Sequence, residues 1–198
     1  MIEPEQLKEI RVQLAIGTEE DIAHAIAGST PSAEQGDEVL REAIIRLAPI
    51  EHIRLLCDAG FLPITTDGAH SAVHVAAESN RVDILELFLK HKKGLDCKDM
   101  CGQTPMFIAV YTGCYDAAEF LVKEGANVHT SATILDVKYD VEENPMPLEN
   151  VAPLHAMAIL SNRDVDTARK LLKLLAEAGA DADVIDADKQ KPEDYINP

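Results

Sequence analysis

Residues at one structural position return along this chain at a nearly constant interval. Gly28, Gly60 and Lys92 stand at equal steps. Ala76 and Ala109 are separated by almost the same step. A fixed period of roughly 33 residues describes a stack of small supersecondary units, each burying its apolar side only against its neighbours. A single wrapped core has no reason to keep such an interval.

The clearest unit runs from Asp99 to Val128. Asp99-Met100-Cys101-Gly102 is a tight turn, with Gly supplying permissive backbone angles. Thr104 is a helix N-cap, and Pro105 suits the first helical position, where no N–H is required. Met106, Ala109 and Val110 share one face of this short helix, and Gly113 ends it. Ala117, Phe120, Leu121 and Val122 stripe a second helix, and Gly125 suits the left-handed position after it.

Other units repeat the pattern with losses. Ser71-Ala72-Val73-His74-Val75-Ala76-Ala77 starts the preceding one, and Ile84, Leu85, Leu87, Phe88 and Leu89 form its second helix. Val39 to Ile44 and Ile53 to Gly60 make an earlier pair, after a polar loop from Ser29 to Gly36. Near the N-terminus Leu7, Ile10 and Leu14 share a helical face, and Thr18-Glu19-Glu20-Asp21 is a capping-box pattern. Downstream, Ala152-Pro153-Leu154-His155-Ala156-Met157 restores the helix start. Ala152 replaces the capping Thr there, which predicts a start weaker by roughly 1 kcal/mol. Leu171, Leu172, Leu174 and Leu175 follow on a second helix. Asp183 to Asp186 with Lys191 to Tyr195 read as one more turn and helix start, truncated.

These motifs resemble the ankyrin repeat. Thr104-Pro105-Met106-Phe107-Ile108-Ala109 follows the family's Thr-Pro-Leu-His-x-Ala signature, with Phe107 in place of its His. His74 and His155 stand at the signature His position, where the family's imidazole commonly hydrogen-bonds neighbouring turns. The resemblance covers nearly the whole chain. It implies an all-α solenoid of helix-turn-helix units with hairpin-like connections, forming a single domain over 1–198. The units fall at about 5–28, degenerate, then 37–62, 66–96, 99–128 and 152–183, with a C-terminal stub at 184–198.

One segment departs from the period. Gly125 to Gly179 is far longer than one repeat, and most of the excess lies in 130–151. Leu135, Val137, Tyr139 and Val141 alternate with Asp136, Lys138, Asp140 and Glu142, a strand pattern. Glu142 to Pro147 then breaks it. Two forms remain open: a lengthened hairpin finger with Tyr139 as an aromatic anchor, or a loop folded down on the helices.

The net charge of −17 disfavours nucleic acid and anionic membranes and favours a partner protein with a basic surface. Met1 to Glu5 lacks a basic, apolar leader, and no run of about 18 apolar residues occurs. A cytoplasmic location and reduced Cys57, Cys97, Cys101 and Cys114 are therefore expected, with Cys101 the most exposed and reactive. Phosphate-binding glycine loops, nucleophile elbows and zinc-protease motifs do not occur. His70 precedes the Ser71 cap, so it need not share a helix face with His74, and no cysteine pair has zinc-knuckle spacing. Asp181, Asp183, Asp186 and Asp188 lack the Gly and Glu of a calcium loop. No cofactor and no metal are expected.

The resemblance implies binding through turn tips and the outward positions of first helices. By position these are Met100, Cys101, Gln103, Tyr111 and Thr112, then Asp67, Gly68, His70, Glu78 and Ser79, then Ile159 and Leu160. Met100, Tyr111, Ile159 and Leu160 are the candidate apolar anchors. The expected function is a non-catalytic module, monomeric when unbound, that holds a partner protein along its concave face and finger. An acidic inhibitor or immunity-type protein that neutralises a basic toxin or enzyme is the alternative. A hydrolase using His155 is a remote one.

Overall fold

A computed structural model describes residues 2–64, 68–90, 94–139, 145–161 and 164–195. Among them helices dominate, and they come in pairs. These are α1 (Pro4–Ile16) with α2 (Glu19–Ala25), α3 (Ala33–Ile45) with α4 (Ile50–Asp58), α5 (Ala72–Glu78) with α6 (Val82–Phe88), α7 (Pro105–Thr112) with α8 (Tyr115–Glu124), and α9 (Pro153–Ser161) with α10 (Val165–Glu177). Strands β1 (Ala132–Tyr139) and β2 (Pro145–Val151) lie between α8 and α9, and a 3-10 turn (Pro192–Tyr195) closes the chain. The fold is all-α, as the repeat pattern predicts. Lys92 lies outside the described residues.

Contacts group the chain into an N-terminal unit, Met1–Thr65 with His70–Gly94, and a C-terminal unit, Thr66–Ala69 with Leu95–Pro198. In the N-terminal unit the first helices form one row, α1–α3–α5, and the second helices another, α2–α4–α6. Ile10, Ile22, Leu40, Ile44, Ile53, Leu56, Phe61, Ile84 and Leu85 are fully buried between and beneath the rows. Each such side chain contributes about 1.5–3 kcal/mol of burial free energy.

Local chemistry sets the helix starts. Thr18 and Asp21 form the expected capping box, with the Thr18 N–H donating to Asp21 Oδ2 at 2.8 Å. The polar loop expected over Ser29 to Gly36 is shorter than predicted, because α3 begins at Ala33. Ser32 Oγ accepts from the Gln35 N–H at 3.2 Å, and Gln35 Oε1 accepts from the Ser32 N–H at 3.1 Å, a second capping box. Gly36 then lets α3 press against the chain after α4. A Cβ at that position would lie 3.1 Å from the Leu62 nitrogen and 3.3 Å from Phe61 Cα.

The loops inside three helix pairs share one left-handed residue. Leu47, Asn80 and Gly113 have φ of 58°, 52° and 78°. Each stands one repeat after the last, so the period is conformational as well as compositional. Gly adopts this region freely and Asn tolerates it, whereas Leu is strained there.

In the C-terminal unit α7 packs on α9, α8 on α10, and α9 on the 3-10 turn. Met106, Phe107, Leu121, Leu171 and Leu175 are fully buried. The insertion is an antiparallel pair of strands, β1 with β2. Ala132 faces Val151 and Ile134 faces Leu148, so β2 carries one more residue than β1 between these pairs. That bulge holds Asn150 at φ 57°. The sequence break expected over Glu142 to Pro147 is corrected in part, since β2 already begins at Pro145. Proline is accommodated at the first residue of a strand or on an edge that needs no N–H.

Candidate protein-binding surface

The turn ahead of α7 is built by one carboxylate. Asp99 Oδ1 accepts from the Cys101 and Gln103 N–H groups, both at 2.9 Å. Asp186 Oδ1 accepts in the same way from Asp188 and Gln190, both at 2.9 Å. The base of the hairpin lies between these two turns. On one side the Thr133 N–H donates to Cys101 O at 2.8 Å, and Gln103 Nε2 donates to Thr133 O at 2.9 Å. On the other, the Ala187 N–H donates to Glu149 O at 3.0 Å and Asn150 Nδ2 donates to Ile185 O at 3.0 Å. The finger is thus rooted on both flanks, and its exposed side carries Leu135.

The positions chosen from sequence divide by what this framework does to them. Met100 projects from its turn and is 84% exposed. Cys101 is half-buried, and burial, with the Asp99 charge adding, raises its thiol above the ordinary cysteine range. Cys57 and Cys114 are half-buried as well, and Cys97 is buried. Gln103 is half-buried, with its amide engaged by the hairpin. Tyr111 is half-buried and stacks on Phe107 at 6.3 Å. Thr112 is exposed, and its hydroxyl donates back to Ile108 O at 2.8 Å.

In the N-terminal unit His70 and Glu78 lie 3.9 Å apart with their side chains largely in solvent, and the His70 ring stacks on buried His74 at 5.2 Å. Ile159 is only 9% exposed, because α9 is packed by α7, α10, β2 and the 3-10 turn. Its predicted role as a surface anchor is corrected. Asp67 and the side chains of Tyr139 and Leu160 lie outside the described residues.

The signature histidines hold backbone. His155 is fully buried; its Nδ1 accepts from the Ala152 N–H at 3.2 Å, and its Nε2 reaches Gln190 O at 3.1 Å. Since Nδ1 accepts, Nε2 carries the proton and donates. The ring thus holds the Ala152 N–H at the start of α9 and ties the helix to the next turn. His74 Nδ1 likewise accepts from the Ser71 N–H at 3.1 Å. Where Phe107 replaces the His, Thr104 Oγ1 caps the Phe107 N–H at 3.1 Å instead. With both ring nitrogens committed to backbone, His155 has none to offer a substrate.

Sequence reasoning missed Asp37, Ile45 and Leu47. Asp37 is buried; its Oδ1 accepts from the Ile64 and Ala72 N–H groups at 2.9 and 2.8 Å, and its Oδ2 pairs with Arg41 Nε at 2.9 Å. Ile45 and Leu47 are among the exposed large apolar residues. The period itself was the available signal for Leu47, which aligns with Gly113. Among the described residues no group of three or more His, Cys, Asp or Glu converges as a metal site. No described helix is long and apolar enough to cross a membrane.

A family model described as ankyrin repeats (3 copies) matches residues 33–132. The chain belongs to the ankyrin-repeat family. It is 29% identical over 139 residues to the NF-kappa-B inhibitor alpha of Gallus gallus, a match covering 68% of this chain and 42% of that protein. It is 28% identical over 132 residues to the B-cell lymphoma 3 protein homolog of Mus musculus, covering 59% of this chain and 29% of that protein. The chain therefore spans less than half the length of either relative.

Proposed function

We propose that this chain is a non-catalytic protein–protein interaction module. It holds one partner protein along the face of its first helices and turn tips and against the hairpin finger. The observation that carries this reading is the contrast at the turn ahead of α7. Its neighbours are committed to internal bonds, while Met100 stands 84% exposed beside the rooted hairpin. A turn already fixed by internal bonds spares docking the cost of ordering its backbone. The reading takes 1–198 as one repeat domain, monomeric alone and cytoplasmic, binding neither nucleic acid nor membrane.

The net charge of −17 favours a basic partner surface, and one relative is named as an inhibitor of another protein. Those two observations support the narrower alternative, an acidic inhibitor that covers a basic protein. Affinity capture from the native source, with wild-type protein and a Met100→Asp, Leu135→Asp variant as baits, tests the proposal. A protein retained by wild type and lost from the variant is expected. Capture that is equal on both baits would refute the surface, and turnover of a substrate by the purified chain would refute the class. A steep fall of the association rate with salt distinguishes the inhibitor version.

A further inference from the structure

We infer that the groove across the base of the hairpin receives an arginine side chain of the partner protein. This rests on the protein-binding reading and adds a partner chemistry to the hairpin end of that surface.

The bulge in β2 is the first observation. Side chains of a regular strand alternate between faces, yet Leu148 and Val151, an odd number of positions apart, are both buried. The extra residue reconciles them and leaves Glu149 and Asn150 side by side and exposed. Both are held in place. The Ala187 N–H donates to Glu149 O, and Asn150 Nδ2 donates to Ile185 O, each at 3.0 Å.

The groove is the second observation. It has a volume of about 310 Å³, and its lining includes Cys101 and Ala187 of the two flanking turns, Ala132 and Thr133 of β1, and Glu149 and Asn150 of β2. Apart from the bulge residues these side chains are small, so a long, thin side chain can lie along them. The bond from the Thr133 N–H to Cys101 O, at 2.8 Å, fixes the opposite wall to the strand.

Charge and hydrogen bonding select the occupant. Glu149 is the one charged residue among the described residues that line the groove, and its carboxylate has neither a hydrogen bond nor an ion pair within the protein. Asn150 spends its amide N–H on Ile185 and offers its amide oxygen. A carboxylate and an amide oxygen on adjacent residues call for a cation with several donors. Guanidinium presents its N–H groups in a planar fork that matches such acceptors, whereas an ammonium is a point charge. The net charge of −17 draws a cation to this surface as well.

Selection of random phage-displayed peptides on the intact protein tests this. Enriched sequences are expected to share an arginine. In their synthetic versions, replacing that arginine by citrulline, which keeps the shape and loses the charge, should weaken binding about tenfold. Glu149→Gln should weaken the arginine peptide by a similar factor and make the citrulline replacement silent, which places the arginine at Glu149. Glu149→Gln should melt together with wild type, because the carboxylate it removes has no partner within the protein. Enrichment without arginine, a citrulline effect that persists in full in Glu149→Gln, or no enrichment at all would overturn the inference. Peptides that lack arginine and lose affinity with Met100→Asp would overturn it too, while leaving the protein-binding reading standing.

Discussion

Removing the Asp37 carboxylate tests how one repeat is fastened to the next. Its Oδ1 holds two backbone N–H groups, Ile64 and Ala72, that lie 27 and 35 residues away. Hydrogen bonds to a charged group are worth about 1.5–3 kcal/mol each. Asp37→Ala breaks both, leaves the Ala72 N–H buried without this acceptor, and releases Arg41. The expected loss is roughly 3–5 kcal/mol, a large share of the roughly 5–15 kcal/mol typical of a domain. Asp37→Asn keeps the shape and one carbonyl acceptor, so its loss should be only about 1–2 kcal/mol. Arg41→Ala removes a partly exposed ion pair and should stay below about 1 kcal/mol. Urea unfolding followed by circular dichroism and by an independent probe gives these values, the second probe guarding against uncoupled repeats. The reasoning fails if Asp37→Ala lies within about 1 kcal/mol of wild type. It fails equally if Asn and Ala are equivalent, since charge and not the two contacts would then carry the effect.

Three further outcomes rest on named contacts. His155→Ala should lose about 3–4 kcal/mol, from the buried ring and two bonds to backbone, and hydrogen exchange should show residues 186–194 deprotected first. Gly36→Ala gains about 1 kcal/mol of helix propensity. It places a methyl 3.1 Å from backbone that cannot move aside, so thermal melting should show a net loss of about 1–2 kcal/mol. Burial pushes the Cys57 thiol up to about 11. Its alkylation should be slow at pH 7 and rise about tenfold per pH unit until that value, because only the thiolate reacts.

What the sequence revealed depended on how far apart the interacting groups lie. Thr18 with Asp21 and Thr104 with Pro105 were legible because a cap and its helix are neighbours in the chain. Ser32 and Gln35 obey the same rule, but their polar, glycine-containing surroundings read as loop. Asp37 was invisible, because the donors it serves arrive from a helix pair later. The alternation of β1 announced a strand, whereas the prolines of β2 concealed its partner. Ile159 looked like an outward residue by alignment with Tyr111. The 3-10 turn and α10 close over α9, and no single-repeat comparison contains them. Leu47 was readable in principle, since its left-handed conformation is the one its period demands.

Hydrogen–deuterium exchange with and without the captured partner tests the central claim most directly. Protection is expected in the turn 99–103 and in the hairpin base at 132–135 and 147–151. Protection confined to the second helices α6, α8 and α10, with those segments unchanged, would contradict it.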